Sequence, residues 1–202
     1  MRNCLLMISL FSALAVTAEE PIVQAPERSP RHLISMVPQY AFMGGFRIDY
    51  DIALNQKNWL QFAPAIYAVS NGRLFNDYER MEGFSLHAYH RYFPAGRQGA
   101  SPVYVSCGLV YQNFSVWHKE RVGNDRIMRT TRIQRAGFDL LMGVSSSNNR
   151  TLIIDLYGGM GFRHALYATD ASTLRRFDDG FFDIGYSGIG FIMGLRFGVF
   201  IK

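Results

Sequence analysis

The chain closes on GYSGIGFIMGLRFGVFIK, Gly185 to Lys202, and this stretch limits the possible folds more than any other. Ile189, Phe191, Met193, Leu195, Phe197, Val199 and Ile201 are all large and apolar. Between them stand Gly188, Gly190, Ile192, Gly194, Arg196, Gly198 and Phe200. Alternation of period two separates these sets onto opposite faces of one β-strand. One face is uniformly greasy and the other mostly small. Such a strand needs an apolar phase along one whole side and a tight fit along the other.

The same period recurs upstream. Strands are predicted at about 33–43, 46–54, 59–69, 83–93, 102–117, 132–145, 151–167 and the closing stretch. Each has about 10 residues or more, enough to cross a bilayer at a tilt. Gly44-Gly45, Asn55–Asn58, PAGRQGAS and SSNNR read as turns, and about 70–82, 118–131 and 168–180 as long polar loops. From the second strand onward short and long connections alternate. Short periplasmic turns and longer extracellular loops give an outer-membrane barrel that asymmetry.

The first residues stand apart from this pattern. Met1–Ala18 has one positive residue, Arg2, an apolar run from Leu5 to Val16 and a small-residue end at Ala18. That is the layout of a secretory signal peptide. The run is about 12 residues, against the roughly 20 of a membrane-spanning helix. Residues 19–31 carry Pro21, Pro26 and Pro30 among mixed charges and read as a flexible periplasmic tether. The domain is then 32–202.

Without the leader, Cys107 is the one cysteine left, so no internal disulfide can form. The basic excess is modest and scattered, unlike a nucleic-acid surface. No later run of apolar residues is long enough for a spanning helix. The other spanning solution is a closed barrel, because hydrocarbon leaves a bare sheet edge unsatisfied. Eight strands enclose an interior that side chains can fill. The expected fold is therefore all-β: a closed eight-stranded antiparallel up-and-down transmembrane barrel with a filled lumen.

The two faces decide its orientation. Ile48, Phe62, Leu86, Leu109, Leu140, Ile154, Phe191, Leu195 and Phe197 are expected to face lipid. The opposite set holds Arg47, Asp49, Asp51, His87, Arg91, Arg135, Asp139, Asp155, Arg163 and Arg196, in near balance of sign. Charges at mid-depth on a lipid face cost about 2–4 kcal/mol each, so they belong inside, paired as a network. A soluble periplasmic lipocalin-like barrel is the alternative, and it needs the reverse arrangement. Trp59, Trp117, Tyr67, Tyr92, Tyr111 and Tyr167 fall near strand ends, where interfacial aromatic girdles sit.

The stretches GGFRIDYDIAL, NWLQFAPAIYAVS, GFSLHAYHRYFPAG and GLRFGVFIK resemble the small eight-stranded outer-membrane barrels. The likeness is to the OmpX/OmpA-type class, and especially to the barrel proteins common in Bacteroidetes. It covers about 32–202 and implies shape and location: the outer membrane of a Gram-negative cell. A monomer that inserts through the barrel-assembly machinery and contacts outer-membrane lipid and lipopolysaccharide is expected. A ligand held by the extracellular loops is a further expectation. One departure is at the end, where Ile201-Lys202 follow the last aromatic, Phe200.

Motifs for chemistry are thin. His87 and His90 are three apart, so on a strand they point to opposite faces and cannot share an ion. No cofactor, metal or nucleic-acid partner is expected. Gly185–Gly188 lacks the spacing of a nucleophile elbow, and Gly158–Gly161 lacks the helix of a phosphate loop. A lipid-modifying enzyme of the outer membrane, acting on lipid A or phospholipid, is the second functional alternative. Its weak catalytic candidates are His118, Asp170 and Ser172, all expected in external loops.

Overall fold

A computed structural model describes residues 31–70, 78–97, 102–148, 151–171, 177 and 183–201. Eight antiparallel strands close in sequence order: β1 (His32–Met36), β2 (Gly45–Ala53), β3 (Asn58–Ser70), β4 (Arg80–Tyr92), β5 (Val103–Val122), β6 (Asp125–Asn148), β7 (Leu152–Thr169) and β8 (Gly188–Ile201). β8 returns to β1, with His32 opposite Ile201 and Met36 opposite Phe197. A short helix, α1 (Gln39–Phe42), lies between β1 and β2. No helix among the described residues is long and apolar enough to cross a membrane. The signal-peptide assignment and all of the tether except Arg31 fall outside the described residues.

The register explains the glycines. Tyr89 lies opposite Gly108, Tyr104 opposite Gly143 and Tyr157 opposite Gly194. A Cβ on Gly194 would come within 2.3 Å of the Tyr157 ring, and one on Gly143 within 2.5 Å of the Tyr104 ring. Each tyrosine leans over a bare backbone on the next strand. Inward glycine and inward aromatic are thus two halves of one packing unit.

Three expectations from the sequence need correction. The first strand ends at Met36, well short of the expected 43, because Pro38 starts the α1 turn. β1 has 5 residues and β2 has 9, so not every strand reaches about 10. The α1 segment repairs the seam: Gln39 Nε2 donates to Met193 O at 3.4 Å and Leu195 N donates to Gln39 Oε1 at 3.3 Å. A side-chain amide thereby occupies the β8 edge past the end of β1.

The second correction is larger. The loop expected at 118–131 is a hairpin: β5 and β6 remain paired from His118–Arg129 to Val122–Asp125 across a two-residue turn. Gly123 has φ 64°, the left-handed geometry such turns need. β4 leaves β5 at Trp117 and β7 leaves β6 at Thr131, so this ladder projects alone. Charged residues stand on both of its faces, with Val122, Ile127 and Met128 exposed among them, which removes the apolar alternation that marks a half-buried strand. The third concerns the girdle aromatics. Tyr92 and Tyr111 face outward, but Trp59 and Tyr67 are buried inside, and the Tyr167 hydroxyl donates inward to Gly185 O at 2.5 Å.

Candidate functional site

The interior is the most specific arrangement in the molecule, and it follows from the strand phase. Arg47, Asp49 and Asp51 occupy alternate positions of β2, Ser85, His87, Tyr89 and Arg91 alternate positions of β4, and Asp155 and Arg196 face each other across β7 and β8. All of these side chains are buried. The outward set is the complement: Leu109 is 68% exposed, Phe191 77% and Met193 82%.

Toward the end of the barrel where β1 starts and β8 finishes, the charges form one network. Arg91 donates to Asp51 Oδ2 at 3.2 Å and to Asp155 Oδ2 at 2.5 Å. Tyr104 OH donates to Asp155 Oδ1 at 2.7 Å, and Arg196 donates to Asp155 and, at 3.2 Å, to Asp49. Arg47 grips both oxygens of Asp49, at 2.6 and 3.1 Å, and Gln61 Nε2 donates to the same carboxylate at 2.5 Å. Asp49 and Asp155 are each held by more than one donor, which is what keeps a buried ion pair from being a net cost, while Asp51 takes a single hydrogen bond, from Arg91.

Toward the hairpin end a second chain of hydrogen bonds begins. Tyr89 OH donates to Asp139 Oδ2 at 2.6 Å, because an ionised carboxylate can only accept. His87 Nδ1 lies 3.0 Å from the same hydroxyl, whose single proton is already committed. That nitrogen is therefore the protonated one. His87 Nε2 then accepts from Ser85 Oγ at 3.0 Å, and Ser85 Oγ accepts from Tyr67 OH at 3.3 Å. The donors all point one way, from Tyr67 to Asp139. Arg163 Nη1 completes the far end, 2.5 Å from Asp139 Oδ1. Arg135 donates to Ile184 O at 3.0 Å, a backbone partner in place of an ion pair.

The lipid-enzyme candidates are placed differently. His118, expected in a loop, is a strand residue of β5, buried, with Nε2 3.0 Å from Thr131 Oγ1. Asp170 is exposed, and its Oδ1 accepts from Thr130 N at 2.8 Å. Ser172 lies outside the described residues. His87 is buried while His90 is exposed and bonds Asn58 Oδ1 at 3.1 Å, so the two do point apart. Among the described residues no group of three or more His, Cys, Asp or Glu side chains is placed to hold a metal ion.

Sequence reasoning missed Arg97. It sits in the β4–β5 turn, in PAGRQGAS, which reads as a solvated turn with no phase to place it. Its guanidinium nonetheless stacks inward, 4.2 Å from the centre of the Trp59 ring. The Ser85–His87–Tyr89 relay was visible only as three alternating polar residues, because nothing local in β4 reveals Asp139 as its end.

The sequence matches no family model and no curated protein. Among solved structures it is similar to the N-terminal β-barrel domain of Pseudomonas aeruginosa OprF, at 11% identity and a TM-score of 0.42, over 85% of this chain and 97% of that one. It is also similar to Acinetobacter baumannii CarO, at 12% identity and a TM-score of 0.45, over 88% of this chain and 100% of that one. The closed eight-stranded barrel assigned here rests on its own strand register.

Proposed function

We propose that the chain is an integral outer-membrane β-barrel whose lumen is filled by side chains and whose work is done at the surface, by its hairpin end. The observation that carries this reading is the inversion of faces. Arg91, Asp51, Asp155 and Arg196 are buried within the barrel while Leu109, Phe191 and Met193 cover its outside. Water-soluble barrels need their charges outward, and this exterior leaves an apolar belt that only hydrocarbon would cover. The lipocalin-like alternative is disfavoured on the same ground. Apolar clusters around Trp59, Phe93 and Tyr104 toward one end and Tyr67, Phe114 and Phe177 toward the other flank the charges, which supports an interior without a solute path.

With the termini on the periplasmic side, the β5–β6 hairpin projects outside the cell. Its edges carry Lys119, Arg121, Arg126 and Arg129 against Glu120 and Asp125. A basic arm above an apolar belt suits the phosphate groups of lipopolysaccharide, with charge complementarity steering the contact.

Two measurements test this. Cell fractionation should recover the chain in the outer membrane, with a gel mobility that changes on boiling, as a folded barrel's does. Recovery in the soluble periplasmic extract rejects the membrane assignment. Replacing Arg121, Arg126 and Arg129 with Glu should reduce co-purified lipopolysaccharide several-fold without altering heat-modifiable mobility. Unchanged lipopolysaccharide rejects the role of the hairpin and leaves the location standing.

A further inference from the structure

Arg97 is held in place by its backbone. Gly96, at φ 76°, reverses the chain; Gly96 N donates to Phe93 O at 3.0 Å, and Arg97 N donates to Gln56 O at 3.0 Å in the neighbouring turn. The side chain then folds over the terminal mouth of the barrel. Its guanidinium carbon is 4.2 Å from the ring centre of Trp59, 5.2 Å from Phe93 and 5.3 Å from Phe200. Three rings stabilise a cation through their faces, but they accept no ordinary hydrogen bond. Nε, Nη1 and Nη2 of Arg97 are all buried, and none has an acceptor.

The surroundings share the same deficit. Trp59, Arg91 and Ser106 form one inward row across β3, β4 and β5. Trp59 Nε1, Arg91 Nε and Ser106 Oγ are each buried without a partner. Against these donors stands one unpaired carboxylate oxygen, Asp51 Oδ1. Asp51 and Asp155 are already engaged by Arg91 and Arg196, so the charge of Arg97 is not matched. Burial, and after it the neighbouring Arg91, push the Arg97 pKa down to about 9.

A buried donor without an acceptor is destabilising, and more so when charged. Water supplies donors along with acceptors; an anion only accepts. The guanidinium nitrogens are buried and the Trp59, Phe93 and Phe200 rings crowd around them, so an occupant within reach has to be small. We propose that the terminal mouth of the barrel binds a small inorganic anion of halide size against the Arg97 guanidinium. Such an ion would balance the fourth arginine of this end, where Arg47, Arg91 and Arg196 already match Asp49, Asp51 and Asp155, and lock the β2–β3 and β4–β5 turns together through Arg97. No part of this depends on the membrane assignment or on the hairpin.

The chain has two tryptophans, so Trp117→Phe leaves Trp59 as the sole indole beside Arg97. Bromide quenches indole on contact. In the full-length folded protein, bromide at constant ionic strength should quench Trp59 along a curve that saturates in the millimolar range. Chloride should reverse it. Arg97→Gln should remove the saturable phase and leave a shallow line, while Arg97→Lys should keep it with a midpoint raised about tenfold. Crystals grown in bromide should show an anomalous peak beside Arg97. A linear, chloride-insensitive response in the Trp117→Phe protein overturns the proposal whether or not Arg97→Gln folds, and so does an absent anomalous peak.

Discussion

Arg196 of β8 donates to Asp49 of β2 across the intervening β1, with Nη1 3.2 Å from Oδ2 and 147 positions between them in the chain. β1 is joined to each neighbour by a short ladder of 5 residues. The seam that closes the barrel is therefore held from inside by charge as well as along its edges by backbone.

Arg196→Leu should be strongly destabilising. The substitution leaves Asp49, Asp51 and Asp155, all buried, short of a counter-charge. Removing one partner of a buried pair costs about 3–5 kcal/mol. Urea titration of the barrel in phospholipid vesicles, read by heat-modifiable mobility, should show a clearly lower midpoint. A midpoint equal to that of wild type would mean that the network contributes nothing to closure.

Leu109 is the matching test of the outer face. It points outward at mid-strand, opposite Ala88 on one side and Phe138 on the other. In a bilayer Leu109→Arg should cost about 2–4 kcal/mol, whereas Val103→Arg, at the start of the same strand, should cost about 0–1 kcal/mol. The difference in urea midpoint between the two variants measures depth. If both behave alike in vesicles, the belt does not face hydrocarbon.

The strand phase was legible from the sequence because burial on one face alone imprints a period of two. Phe46, Ile48 and Tyr50 against Arg47, Asp49 and Asp51 leave no other arrangement once the chain is a strand. That signal fades where both faces meet water, which is why the residues from His118 to Arg129 read as a loop. There the Gly123-Asn124 turn was the surviving cue. Which inward residues bond each other was not legible. Asp139 receives Tyr89 because β4, β5 and β6 lie side by side in one register, and no local pattern records a register between strands. Arg97 was hidden for a simpler reason: a turn residue has no period.

The glycine–tyrosine pairs make a reciprocal prediction. Gly194→Val should block folding, because its Cβ would meet both the Tyr157 ring and the Gln39 side-chain amide at 2.3 Å. Trimming the ring in Gly194→Val with Tyr157→Ser should restore part of the folded yield on refolding into detergent. Double-mutant coupling of this kind is expected of residues in contact or sharing a cavity, and not of distant, independent ones. Simple additivity of the two losses would show that the small residues of β8 serve some purpose other than clearing space for rings.

The interior relay can be cut in the middle or at its start. Tyr89→Phe leaves His87 Nδ1 without its acceptor and takes one donor from Asp139, which keeps Arg163. The loss should be about 1–3 kcal/mol, the cost of stranding a buried polar group. Ser85→Ala removes a link nearer the start, where Tyr67 OH and His87 Nε2 lose only a 3.3 Å and a 3.0 Å contact. Its urea midpoint should fall less than that of Tyr89→Phe. The opposite order would place the anchor of the chain at Tyr67 and not at Asp139.

A lipid-modifying activity demands a base that can reach a substrate at the membrane edge. His118 is buried on the inward face of β5, its Nε2 3.0 Å from Thr131 Oγ1, and Thr131 in turn lies 3.0 Å from Thr169 Oγ1. Asp170 has one carboxylate oxygen committed to Thr130 N. An imidazole bound in this way acts as a strut between β5, β6 and β7. His118→Ala and Ser172→Ala should therefore leave the mass spectrum of the cell's lipid A and its phospholipid acyl profile unchanged, while His118→Ala lowers the urea midpoint. A lipid species that vanishes in either variant, with the barrel still folded, would reverse the assignment and make the hairpin end a catalytic one.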